Sequence, residues 1–249
     1  MIALAYDDRV MTNEPSAQQE TRPNPRDASA GRLQVLATEH WSLLATRSLT
    51  YVESFTRASM FLTVLTGAVV ALALFAQVDH FHETFVVAAI LILSVVVFVG
   101  LVTMGRIGAL NIENVHWVAG MNRLRHAYLE MYPDLEPYFI AGTHDDMRGV
   151  MLTMDLPTEA RGGLLSRVTA GLTSLPAMLS IIVGVVAGVL GALVAGLIGA
   201  PTLVAIAVAA TIPVVMNTVL AFMGTRAFFA YVGRMPARFP SPSKPPATR

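Results

Sequence analysis

Three groups of side chains in this sequence have types and spacing that could do chemistry. Asp79-His80-Phe81-His82-Glu83 places two imidazoles two residues apart between carboxylates. On an extended segment His80 and His82 point the same way, so the pair could hold a transition metal or sense pH, with ligands completed by another subunit. The simpler reading is a solvated polar loop. His144-Asp145-Asp146 offers nitrogen and oxygen ligands in a second place, where a turn or a helix cap explains the same residues at least as well. Asn217 and Thr211 are the most polar groups inside an otherwise apolar stretch, so they either bond a neighbouring helix or line a hydrated path.

The elements that must position these groups follow from where charge is missing. No Asp, Glu, Lys or Arg occurs between Arg57 and Asp79, between Glu83 and Arg106, or between Arg167 and Arg226. A hydrocarbon core of ~30 Å takes about 20 residues of helix. The first two gaps therefore hold one span each and the third holds two: Ala58–Ala76, Thr84–Gly105, Gly171–Ile198 and Thr202–Thr225. The predicted fold class is an all-α membrane protein, with four transmembrane helices in two hairpins and long cytoplasmic helical extensions on the first hairpin.

Composition agrees. The chain has 249 residues, of which 54% are hydrophobic and 14% charged, against roughly 25% charged in a soluble domain. The net charge of zero supplies no field for a nucleic-acid backbone, so nucleic-acid binding is excluded as a function class. With no cysteine there is no disulfide, thiolate nucleophile or cysteine-ligated metal. No serine triad, phosphate-cradling glycine loop or paired-histidine zinc helix stands in a fitting context. Neither an enzyme nor a cofactor is expected. No ionisable group lies within a span, which also argues against coupled transport.

Arg57, Arg106, Arg161, Arg167, Arg226 and Arg234 flank span ends on one side, and the short opposite segments carry no Lys or Arg. The positive-inside rule then predicts a multi-pass inner-membrane protein with both termini cytoplasmic. Met1 to Tyr6 is too short an apolar run for a secretory signal, and Met11 is an equally good start. Residues 1–30 and the proline-rich tail within 226–249, from Met235 on, are expected to be disordered.

Between these lie a cytoplasmic amphipathic helix at 31–57, the membrane hairpin 58–105, a heptad helix at 106–132, a loop region at 133–170 with short helical turns, and the second membrane hairpin 171–225. Leu110, Asn114, Trp117, Met121, Leu124 and Tyr128 alternate spacings of three and four, a heptad seam. Trp41, Leu44, Ser48, Tyr51, Phe55 and Ala58 repeat it, so the two stretches are expected to pair antiparallel along those residues. In the third span Gly184, Gly188, Ala192 and Gly196 recur every four residues beside a second row through Gly191 and Gly199. Such rows let helices approach closely, within the chain or between subunits. Pro176 and Pro213 are candidate kinks.

The runs Asn122-Arg123-Leu124-Arg125-His126-Ala127-Tyr128, Pro133-Asp134-Leu135-Glu136-Pro137-Tyr138-Phe139 and His144-Asp145-Asp146 resemble those of a group of uncharacterised bacterial integral membrane proteins, a resemblance that implies no activity. The order of cytoplasmic helix, membrane hairpin and cytoplasmic helix is also distantly similar to SLATT-type domains, for which a pore-forming effector role has been proposed. From these features the sequence leans slightly towards a non-enzymatic homo-oligomer whose spans surround an ion-conducting pore. A membrane-anchored scaffold or sensor that recruits a cytoplasmic partner through residues 106–165 is the alternative.

Overall fold

A computed structural model describes residues 25–79, 82–155 and 174–242. Among the described residues all regular structure is helical: α1 (Pro25–Asp79), α2 (Glu83–Met131), a 3₁₀ helix (Pro133–Tyr138), α3 (Met147–Thr153), α4 (Leu175–Leu197) and α5 (Thr202–Arg234). Four of these, α1, α2, α4 and α5, are long and apolar enough to cross a membrane.

Helices α1 and α2 are each unbroken from the membrane region into a long extramembrane projection. Starting at Pro25, α1 begins earlier than the sequence suggested, because proline is tolerated in a first helical turn, where its missing N–H has no partner to lose. Pro176 likewise sits in the first turn of α4 rather than at a kink, with Ser174 capping that end by accepting from the Ala177 N–H. Among the described residues Pro137 lies inside the 3₁₀ helix and Pro213 inside α5. That helix runs well past Thr225 to Arg234, so the proposed tail from 226 begins as helix.

Two cores hold the elements. In the membrane region Ala58 and Phe61 of α1, Val96 and Ile107 of α2, and Leu179 and Val183 of α4 close on one another. Gly100 makes this possible, since a Cβ there would stand 2.6 Å from Val183 Cγ2. In the extramembrane region Val115, Val118, Ala119 and Met121 of α2 meet Val150 of α3 and Val232 of α5.

The pairing of α1 with α2 corrects the seam read on α1. Trp41 is 71% exposed, and Phe55, Tyr51 and Leu44 are exposed too, whereas Leu43 packs on Gly120, and Thr50, Ser54 and Ala58 are buried. The apolar repeat is in phase with the wrong face from Trp41 to Phe55, and only its last member, Ala58, is buried as expected. Register is set instead by polar contacts: Arg47 Nε donates to Asn114 Oδ1 at 2.9 Å, and Glu53 accepts from Arg106 at 2.9 and 3.1 Å. The hydroxyls of Thr50 and Ser54 bond carbonyls four residues back, which lets small polar residues occupy the interface without an unpaired group. On α2, Leu110, Asn114 and Met121 are buried and Trp117, Leu124 and Tyr128 half-buried.

Candidate functional site: a carboxylate latch beside the membrane

Asp145 and Asp146 are where the structure concentrates its polar interactions. The segment leading to them is tight: a Cβ on Gly142 would stand 2.5 Å from the Gly149 carbonyl oxygen, and Gly149 itself packs against the His144 carbonyl. Asp146 is the N-cap of α3, accepting from the Gly149 N–H at 2.9 Å. Its neighbour Asp145 is buried completely.

Both carboxylates reach across to the chain that follows α5. Asp145 accepts from the backbone N–H groups of Arg238 and Phe239 at 2.9 and 2.8 Å and from Arg123 Nε at 2.6 Å, and its own N–H donates to the Phe239 carbonyl. Asp146 accepts from the N–H and the hydroxyl of Ser241, each at 2.9 Å. Arg123 also donates to the Pro236 carbonyl, and the Phe239 ring stacks on His126 at 4.3 Å between centroids. Residues 235–242 are thus strapped to α2 and α3, which corrects the expectation of disorder for that stretch; the rest of the tail, 243–249, lies outside the described residues. Prolines forbid helix there, but the N–H groups between them are free to bond carboxylates.

Asn122 holds the latch from beneath. It is buried, donates to the His144 carbonyl at 2.8 Å, and through Oδ1 accepts from Arg125 at 2.8 Å while lying 2.9 Å from the Thr153 hydroxyl. That hydroxyl in turn accepts from the Gly142 N–H. Sequence reasoning singled out Asp145 and Asp146 but missed Arg123 and Ser241 as their partners, and Asn122 and Thr153 as the support beneath them. The only signal was the closeness of Asn122 and Arg123 to a seam they do not join.

Electrostatics keeps both carboxyls ionised. Burial alone would raise Asp145, but the Arg238 and Phe239 N–H groups and the Arg123 guanidinium hold it below the ordinary aspartate value. For Asp146 burial is likewise overcome, by the Gly149 and Ser241 donors and by His144 nearby. All four carboxylate oxygens already accept hydrogen bonds, so the arrangement clamps chain rather than transferring protons.

A second polar group marks the edge of the membrane region. Glu53 bridges Arg57 (2.8 Å) and Arg106 (2.9 Å), and Arg106 reaches Glu113 at 3.0 Å. Hydrogen bonds from Arg106 and then Arg57 bring the Glu53 carboxyl down to about 2.

The remaining sequence candidates are dispersed. His82 stands at the position before the first turn of α2, makes no side-chain cap there and is exposed, and His80 lies outside the described residues. No group of three His, Asp or Glu side chains among the described residues is placed to hold a metal. In the second membrane hairpin Gly184, Gly188 and Gly191 face α5: Cβ atoms would stand 2.6 Å from Asn217 Nδ2 at Gly184 and 2.5 Å from the Ala209 carbonyl at Gly188, and Gly191 packs on Ile212. Ala192 is half-buried, and a Cβ on Gly196 or Gly199 would meet nothing within 4 Å. Asn217 Oδ1 accepts from the Ser180 hydroxyl at 2.6 Å and its amide donates to the Pro213 carbonyl at 2.8 Å. Thr211 is separate, bonding its own helix at Ala207 on an exposed face. No protein-family model, curated protein or solved structure matches this chain.

Proposed function

We propose that this protein is a non-enzymatic membrane-anchored scaffold or sensor, with both termini in the cytoplasm, whose extramembrane helical hairpin recruits a cytoplasmic protein. The observation that carries this reading is the latch. By fixing the chain after α5 to α2 and α3, it joins the end of the last membrane helix to the projection, so a change at either end is felt at the other. The exposed ridge of Trp41, Leu44, Tyr51 and Phe55 on α1 adds a surface of the kind that marks interaction sites. The polar side chains within the second hairpin favour it over a pore, because Ser180, Asn217 and the Pro213 carbonyl satisfy one another instead of facing a lumen.

A homo-oligomeric pore is the second reading, favoured by one observation: the apolar window of α5 has 0% of its residues buried, leaving room for neighbouring subunits. Purified full-length protein in planar bilayers separates the two. The scaffold reading expects no unitary conductance under voltage, tension or pH change, together with site-specific photo-crosslinks in cells from positions 41, 51 and 55 to one cytoplasmic protein. Reproducible channel openings would overturn it in favour of the pore.

A further inference from the structure

The seam between the extramembrane parts of α1 and α2 contains cations without matching anions. Arg47 and His40 lie seven residues apart on α1, the spacing of one helix face. On α2, Asn114, Trp117, Met121, Arg125 and Tyr128 share the opposing face, at spacings of three and four. Arg47 is held by two neutral oxygens, Asn114 Oδ1 at 2.9 Å and the Tyr51 hydroxyl at 3.3 Å. Arg125 is held by one, Asn122 Oδ1 at 2.8 Å. Neither has a carboxylate partner among the described residues, and Glu53 and Glu113 are both engaged by Arg106.

Two further polar nitrogens lie on the same seam. Trp117 Nε1 and His40 Nδ1 are buried and make no hydrogen bond. The His40 ring stacks on Tyr128 at 5.9 Å between centroids. An indole nitrogen can only donate, and a buried donor left unpaired costs about 1–3 kcal/mol. Burial, and then Arg47, make the charged form of Arg125 harder to keep; burial, and then Arg125, do the same to His40. Cations that repel one another in a half-buried seam are the complement of a multiply charged anion.

We propose that the seam lined by His40, Arg47, Trp117 and Arg125 is a binding site for a soluble phosphate-class oxyanion. Two guanidinium forks match the charge and the acceptor geometry of a phosphate dianion, and the indole and imidazole nitrogens supply further donors. The phosphate of a lipid headgroup has the same chemistry, but distance argues for the soluble source. At 1.5 Å per residue Arg47 stands about 15 Å beyond Arg57, and Arg125 almost 30 Å beyond Arg106. A headgroup layer is only roughly 5–8 Å deep. The site is independent of the scaffold reading, which survives if no anion binds.

The chain has two tryptophans, the exposed Trp41 and the half-buried Trp117, whose indole nitrogen is buried, so indole NMR reads the site directly. Full-length protein labelled at indole nitrogen, in zwitterionic detergent, is titrated with inorganic phosphate and, at matched ionic strength, with chloride. A saturable shift of the Trp117 indole resonance with phosphate, and none at Trp41, is expected. Arg125→Gln should raise the dissociation constant about tenfold and Arg125→Lys less, reflecting a lost fork and a retained charge. Equal responses to phosphate and chloride, or movement of both indoles together, would overturn the proposal, and the wild-type titration alone decides this if a variant fails to fold. In nanodiscs the affinity for phosphate should be the same with neutral and anionic lipid; displacement of phosphate by anionic lipid would assign the site to headgroups and overturn the soluble source.

Discussion

The second membrane hairpin and the latch join helices at opposite ends of the same molecule by opposite means. Between α4 and α5 the contact is made by missing side chains: Gly184, Gly188 and Gly191 let backbone and methyl groups approach, and one Ser180–Asn217 pair is the polar exception. Around α3 the contact is made by carboxylates gathering N–H groups from three directions. The difference follows from the solvent each region meets. Lipid offers no hydrophobic drive between apolar helices, so close approach has to do the holding. Beside water, a proline-rich strap has little apolar surface to bury, so it is fixed through its backbone N–H groups.

The largest expected effect tests the latch. Asp145→Ala leaves Arg123 and two backbone N–H groups without their acceptor and should destabilise the extramembrane unit by about 3 kcal/mol, the low end for a broken buried pair because Arg123 is still 37% exposed. Tryptic cleavage at Arg234 and Arg238 should become rapid. Unchanged protection would mean that packing, as in the membrane hairpin, holds the strap.

Next comes Gly188→Leu, where the new side chain meets the Ala209 carbonyl and Pro213. Overpacking of this kind costs roughly 1–3 kcal/mol, measured by denaturation in mixed micelles. Gly196→Leu, at a position that approaches nothing, should be silent, and an equal loss at both would put Gly196 in an interface between subunits.

A smaller loss, about 0.6 kcal/mol and not above ~1.7, is expected for Asn217→Val, the usual size of an interhelical hydrogen bond in lipid. A double-mutant cycle with Ser180→Ala measures the coupling. A value near zero would leave van der Waals contact as the whole of that interface.

The gentlest test is pH. Asp145 and Asp146 have folded values below their unfolded ones, so their contribution is complete above the ordinary aspartate range and is lost only as pH falls through the depressed values. Amide hydrogen exchange at Phe239 and Ser241, expressed as protection relative to the intrinsic exchange rate at each pH, should therefore be flat from neutral to mildly acid pH and fail below. The α4–α5 contact has no ionisable group in its spans and should not respond at all.

The membrane helices were legible in the sequence because the absence of charge over a span length has one physical meaning. Small-residue spacing likewise pointed to a close helix contact, although it did not say that Gly196 and Gly199 would stand outside it. The α1 face was misread above Ala58 because periodicity favours large apolar residues, while the real interface there uses Leu43, Thr50 and Ser54 around two polar contacts. The latch was half legible. Asp-Asp before a short helix signals a cap, but partners almost a hundred residues away, offered by backbone N–H groups, leave no trace in side-chain identity.

Helix α2 runs 49 residues without interruption, some 74 Å at the usual rise. From mid-span near Ser94 to Met131 is about 55 Å, so each degree of tilt within the bilayer sweeps the far tip sideways by about 1 Å. Bilayer thinning that leans a helix by ten degrees thus becomes a displacement as wide as a helix itself, a lever built into the chain with no hinge.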